Sequence, residues 1–128
     1  MSNKSKGSNA ERELLKIFVD HGFRSLRVAG SGVNDDSPCD LIAGKINGKK
    51  YAVECKTCKS KKRYIEKQQI EDFLEFSLAF GLEPIIAIKF NRQGWLFLKP
   101  EELENTGACL AVSLNHALEK GKRFGQFF

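Results

Sequence analysis

No stretch of this chain is apolar for long enough to cross a bilayer, and the polar opening Met1–Asn9 lacks the apolar core of a secretory signal. The expectation is an intracellular, cytoplasmic protein without a membrane partner. Its four cysteines, Cys39, Cys55, Cys58 and Cys109, are then expected to be free thiols. Cys55 and Cys58 have zinc-knuckle spacing, but the second close pair that would complete four ligands is missing, which argues against a structural zinc. No internal repeat is visible, so repeat architectures are set aside. Acidic side chains are also in deficit, 16 against 21 Lys and Arg, for a net charge of +5. At 128 residues the chain is read as one domain, 1–128, with room for an ordinary core.

The basic excess is uneven. Lys45, Lys49, Lys50, Lys56, Lys59, Lys61, Lys62, Arg63 and Lys67 cluster in the middle of the chain, while acids gather in 71–75 and 101–104. Such a patch suits a polyanion, most simply nucleic acid. A solvated lysine-rich loop is the plainer alternative.

The chain is organised around 38–56. Two short apolar runs, Leu41–Ala43 and Tyr51–Val53, flank Asn47-Gly48, a strong hairpin signal. Asp40 opens the first strand, and Glu54 and Lys56 share a face near the end of the second. A plain two-residue turn would set Asp40 opposite Cys55, on the wrong face for Glu54. A three-residue loop ending in a left-handed Gly48 sets Asp40 opposite Glu54 instead, and this shifted register is the one expected. Two carboxylates beside an ammonium are costly to bury unless a partner such as a divalent metal compensates them. Cys55 falls on the opposite face, where a small hydrophobe belongs.

Around this centre the pattern is α/β, a mixed central sheet flanked by helices. Residues 1–7 are expected to be a flexible basic segment. A helix opens at Ser8–Glu11, carries Leu14, Leu15, Ile17 and Phe18 as its apolar stripe, and stops at Gly22. Ser8 and Glu11 fit a capping box, yet Glu11 also shares a face with Leu15 and Phe18 and can point inward. Phe23–Val28 reads as a strand, followed by a glycine-rich loop in which Ser31 can meet a phosphate. After the hairpin come a basic loop 58–62 and a helix 65–80 burying Ile70, Phe73, Leu74, Ser77 and Phe80. Pro84–Phe90 and Trp95–Leu98 are strands, the first apolar enough to be covered on both faces. Lys89, a lone charge at its end, needs a wet or paired outlet. Pro100–Leu103 is a helical turn, Leu110–Val112 an edge strand, Ser113 the cap of a last short helix, and 122–128 a basic, aromatic tail.

Glu11 on a first helix, then Asp40 and Glu54-Cys55-Lys56 across a hairpin, resembles the PD-(D/E)xK nuclease superfamily with its restriction-endonuclease-like fold. More closely, the chain resembles the archaeal Holliday junction resolvases. The likeness runs through Lys6-Gly7, Ala10-Glu11-Arg12-Glu13-Leu14, Gly22-Phe23, Arg27-Val28-Ala29-Gly30-Ser31, Asp40-Leu41-Ile42-Ala43-Gly44 and Glu54-Cys55-Lys56. It continues through Glu75-Phe76-Ser77, Phe80-Gly81, Ala87-Ile88-Lys89-Phe90 and Gly94-Trp95. The chain departs from that pattern in its longer glycine-aspartate loop, in Cys39 between Pro38 and Asp40, and in the connection after Lys56.

The resemblance implies an endodeoxyribonuclease that resolves four-way DNA junctions by paired symmetric nicks and leaves 5′-phosphates. Asp40 and Glu54 would hold one or two Mg²⁺, with Mn²⁺ as a substitute, and the Cys55 carbonyl and Glu11 would add oxygen ligands. Lys56 would orient the attacking water or stabilise charge. Arg12, Arg27, Ser31 and Lys89 are implied as contacts to DNA or supports of the site. Lys59, Lys61, Lys62 and Arg63, with Lys4–Lys6, would grip junction arms. The resemblance also implies a homodimer and no small-molecule cofactor. Trp95, Phe97, Phe124, Phe127 and Phe128 are the interface candidates, unless Trp95 and Phe97 complete the core. A nuclease for other branched or duplex DNA, or a non-catalytic junction binder, is the alternative.

Overall fold

The structure is a computed structural model that describes residues 3–28 and 38–128. Helix α1 (Asn3–Asp20) leads into strand β1 (Arg24–Arg27) through Gly22, whose φ of 88° suits a residue without a Cβ. Strands β2 (Leu41–Gly44) and β3 (Lys50–Cys58) form the hairpin. Leu41 pairs with Val53 and Gly44 with Lys50. One step further, this register sets Asp40 opposite Glu54, as the shifted loop requires. The left-handed residue is Asn47 (φ 62°) rather than Gly48, and the Gly48 amide closes the turn on the Lys45 carbonyl at 3.1 Å. Asparagine tolerates that conformation because its short polar side chain bonds locally.

The rest of the chain comprises β4 (Lys62–Ile65), α2 (Lys67–Ala79), β5 (Glu83–Phe90), β6 (Gly94–Leu98), β7 (Glu104–Asn105), β8 (Leu110–Ser113), α3 (Leu114–Lys120) and α4 (Phe124–Phe127). The main sheet has the order β1-β2-β3-β5-β6, with β3 and β5 parallel and the other pairs antiparallel. The expected mixed central sheet flanked by helices is therefore the fold. Strand alternation divides the core. Val53, Ile85 and Ala87 pack with Leu14 and Phe18 of α1, while Ala52, Ile86 and Ile88 pack with Ile70 and Phe73 of α2.

Several expectations are corrected. The first helix begins at Asn3, so Ser8 is an interior residue and not an N-cap, and the backbone of Lys4–Lys6 is helical. The basic loop is present at 59–61, but it leads into strand β4 and helix α2 starts only at Lys67; the supposed edge strand Leu110–Ser113 is the middle strand of a second sheet, β4-β8-β7. Leu74 and Phe80 are exposed rather than buried, at 38% and 69%, because the buried stripe of α2 is Ile70, Phe73 and Ser77. Trp95 and Phe97 are buried in the monomer, with Phe124, Phe127 and Phe128 packed against their cluster. The Phe128 ring lies 5.1 Å from that of Phe18 and 5.2 Å from that of Phe97, so the tail completes a core. Ser113 does cap α3, accepting from the His116 amide at 3.1 Å.

Candidate active site

Glu54 projects from β3 toward α2, on the face of Ala52, and is only 4% exposed. Asp40 reaches it from the bend before β2. One Asp40 oxygen accepts from the Cys55 amide at 2.7 Å, which anchors the side chain to the backbone of the strand carrying Glu54. The two carboxyl groups lie close enough for each to act on the other. Burial, then Asp40, push the Glu54 carboxyl well above its ordinary value, against the opposing pulls of Lys56 and Gln69. The same two acids, after burial, raise the neighbouring Cys39 thiol to about 12. This close acidic pair is the arrangement that a hard divalent cation satisfies.

The charge of Glu11 acts on Cys55 together with those of Asp40 and Glu54. Glu11 lies on the α1 side of the sheet, 7% exposed, where Arg27 of β1 donates to its Oε1 from Nε at 3.2 Å and Nη2 at 3.1 Å. Among the described residues no three His, Cys, Asp or Glu side chains gather as a metal-binding group. The Cys55 thiol packs toward the α1 cluster, and burial, then the charges of Asp40, Glu54 and Glu11, push it up. Cys58 turns its sulfur to the carbonyls of Ser60 and Lys62, both at 3.3 Å.

A cleft of about 800 Å³ opens where these elements end, lined by Glu11, Cys55, Lys56, Lys59, Lys62 and Arg63 among others. Lys56 lines this cleft with the basic side chains and its charge acts on Glu54, while Asp40 and Glu54 do not line it. The Arg63 Nε is buried without a hydrogen-bond partner among the described residues. Lys61 is exposed beside this wall and Arg12 is exposed on α1, whereas Ser31 lies outside the described residues. Lys89 finds its outlet in a pair, its Nζ 2.7 Å from Glu13 Oε1, an oxygen that also accepts from Trp95 Nε1 at 2.8 Å. Lys89 and Lys59 line a second, shallower hollow of about 310 Å³.

Sequence reasoning passes over Gln69, whose Nε2 donates to Glu54 Oε2 at 3.2 Å. The available signal is its position four residues before the buried Phe73, which sets a polar side chain on the inner seam of α2. It also passes over Glu13, a member of the Lys89 pair.

A family model described as archaeal Holliday junction resolvase (Hjc) matches residues 2–126. The crossover junction endodeoxyribonuclease Hjc of Methanocaldococcus jannaschii is 45% identical over 128 residues, covering 92% of this chain and 90% of its own. The enzyme of the same name from Archaeoglobus fulgidus is 41% identical over 105 residues, covering 80% of this chain and 75% of its own. The solved structure of Archaeoglobus fulgidus Hjc, a Holliday junction resolvase from an archaeal hyperthermophile, superposes with a TM-score of 0.83 at 29% identity, across 95% of this chain and 94% of that one. In sequence and in fold alike, the chain belongs to the archaeal Holliday junction resolvase family.

Proposed function

We propose that this chain is a crossover junction endodeoxyribonuclease that resolves four-way DNA junctions by paired nicks at the Asp40–Glu54–Lys56 site. The observation that carries the reading is the pairing of two carboxyl groups, one almost wholly buried, with Lys56, which lines a basic cleft, pulling on the buried one. A binding module gains nothing from carboxylates that face phosphate, since the two repel.

Asp40 and Glu54 would hold Mg²⁺, or Mn²⁺ in its place, with the Cys55 carbonyl and Glu11 as further oxygen donors. When bound, the ion supplies Lewis-acid stabilisation of the charge that builds on the phosphate and makes water more acidic. Lys56 orients the attacking water and faces the developing negative charge. In-line attack at phosphorus releases the 3′ oxygen and leaves a 5′-phosphate. Lys59, Lys61, Lys62 and Arg63 hold the backbone of the arms, which makes affinity fall steeply with salt. Arg12 and Lys89 extend the same grip.

A two-fold substrate suits a homodimer with two sites. The face that supports one is the exposed apolar pair Leu74 and Leu78 on α2, at 38% and 83% exposure. No helix among the described residues is long and apolar enough to cross a membrane, which agrees with a DNA-processing enzyme working inside the cell.

The test is cleavage of an end-labelled four-way junction against linear duplex, with and without Mg²⁺, beside Glu54→Ala. Symmetric nicks confined to the junction, lost in the variant while binding persists, are expected. Equal cutting of linear duplex would make the protein a general nuclease. Tight junction binding with no Mg²⁺-dependent product would make it a binding module.

A further inference from the structure

Gln69 is the third residue of α2, and its spacing from Phe73 turns its side chain toward the sheet instead of the solvent. There it meets Glu54, the most buried acid among the described residues, and donates to Oε2 at 3.2 Å. The chemical type of this donor matters. A lysine or arginine here would neutralise Glu54 and remove the reason for a divalent cation to bind. A carboxamide carries no net charge. It fixes one oxygen of the carboxylate and leaves the negative charge of the Asp40–Glu54 pair for the metal.

We infer that Gln69 is a positioning residue for metal binding: it holds the Glu54 carboxylate from α2 while the Cys55 amide holds Asp40 from β3. Each acid of the pair then has one neutral N–H donor and comes from a different element, so the pair is set before metal arrives. The inference rests on the reading of Asp40 and Glu54 as metal ligands. Partners that orient a ligand in this way typically change metal affinity ~10–100-fold when removed.

The experiment titrates the full-length protein with Mn²⁺ alone and follows the free aqua-ion signal by electron paramagnetic resonance. Wild type, Glu54→Ala, Gln69→Leu and Gln69→Lys are compared, with thermal unfolding and metal-free junction binding measured on each. Gln69→Leu is expected to bind Mn²⁺ ~10-fold more weakly or worse, with junction binding retained. Gln69→Lys is expected to bind it more weakly still, because its ammonium competes for Glu54. If Gln69 merely ties α2 to β3, lysine serves as well as glutamine, and wild-type Mn²⁺ affinity in that variant overturns the inference. Unchanged affinity in Gln69→Leu overturns it too, and should that variant not fold, the lysine variant decides. Glu54→Ala separates the two levels. Undiminished Mn²⁺ binding there sinks the metal-site reading and the role of Gln69 together, whereas loss there with none at Gln69 sinks only the latter.

Discussion

Arg27 of β1 and Glu11 of α1 form a two-point contact, both guanidinium donors converging on one carboxylate oxygen at 3.2 and 3.1 Å. The pair joins helix to sheet at the edge of the cleft. Arg27→Ala removes the cation beside a buried carboxylate. The expected loss is ~1–3 kcal/mol, below the fully buried case because the Arg27 side chain is 29% exposed. Arg27→Lys should recover only part, since an ammonium cannot reproduce the fork. Urea unfolding of the three proteins measures this, and equal midpoints would refute it.

Glu13 offers a pH readout. Its hydrogen bond from Lys89 lowers its carboxyl below the ordinary 4.5, burial opposes this, and Trp95 adds to the lowering. A depressed acid contributes stability above its unfolded value and loses that contribution as pH falls through the lower, folded one. Trp95 is the sole tryptophan in the chain, so its emission reports the event directly. On acidification from pH 6, the emission should change only below about 4.5 in the folded protein, and Glu13→Gln should abolish the step. A step that persists in the variant would point to another group.

Glu54 has the opposite sign. Its carboxyl is raised in the fold, first by burial and then by Asp40, so the metal-free protein keeps a proton that the unfolded chain has lost. Stability of the metal-free protein should therefore fall as pH rises from the ordinary value of 4.5 through the raised one. Glu54→Gln removes the charge, should flatten that decline, and should raise the melting temperature in EDTA at pH 8 by about 4 °C for each ~1 kcal/mol relieved. The same variant should not cut junctions. Parallel melting curves from pH 5 to 8 in the two proteins would contradict the assignment.

Leu78 is 83% exposed on α2, one turn after Leu74 on the same face. Leu78→Glu should leave monomer stability within ~0.5 kcal/mol, as a surface change away from the core. In sedimentation velocity it should shift a dimer toward monomer, and paired nicks should become single nicks. An unchanged sedimentation coefficient would place the interface elsewhere.

The register of the hairpin was legible because strand side chains alternate with a period of two, so only one loop length brings Asp40 and Glu54 to one face. Strands β5 and β6 were legible as short apolar runs bounded by turns, and α2 by its 3.6-residue spacing of Ile70, Phe73 and Ser77, although Leu74 and Phe80 proved exposed. The start of α1 was not, since Ser8 and Glu11 satisfy a capping pattern that the helix runs straight through. The packing of Phe127 and Phe128 against the α1-side core was not either. An aromatic tail looks the same whether it caps its own core or a partner's.

What the sequence determined by itself was the set of faces: periodicity and turn chemistry place Asp40 opposite Glu54, Lys56 beside them, and Cys55 behind. What only the tertiary structure decided was which side chains meet across elements. Glu13 receives Lys89 and Trp95 from 76 and 82 residues away, Gln69 reaches Glu54 across the α2–sheet boundary, and Arg27 claims Glu11 on the α1 side. Such contacts follow from how layers pack, and layer packing depends on long-range burial that no local pattern encodes.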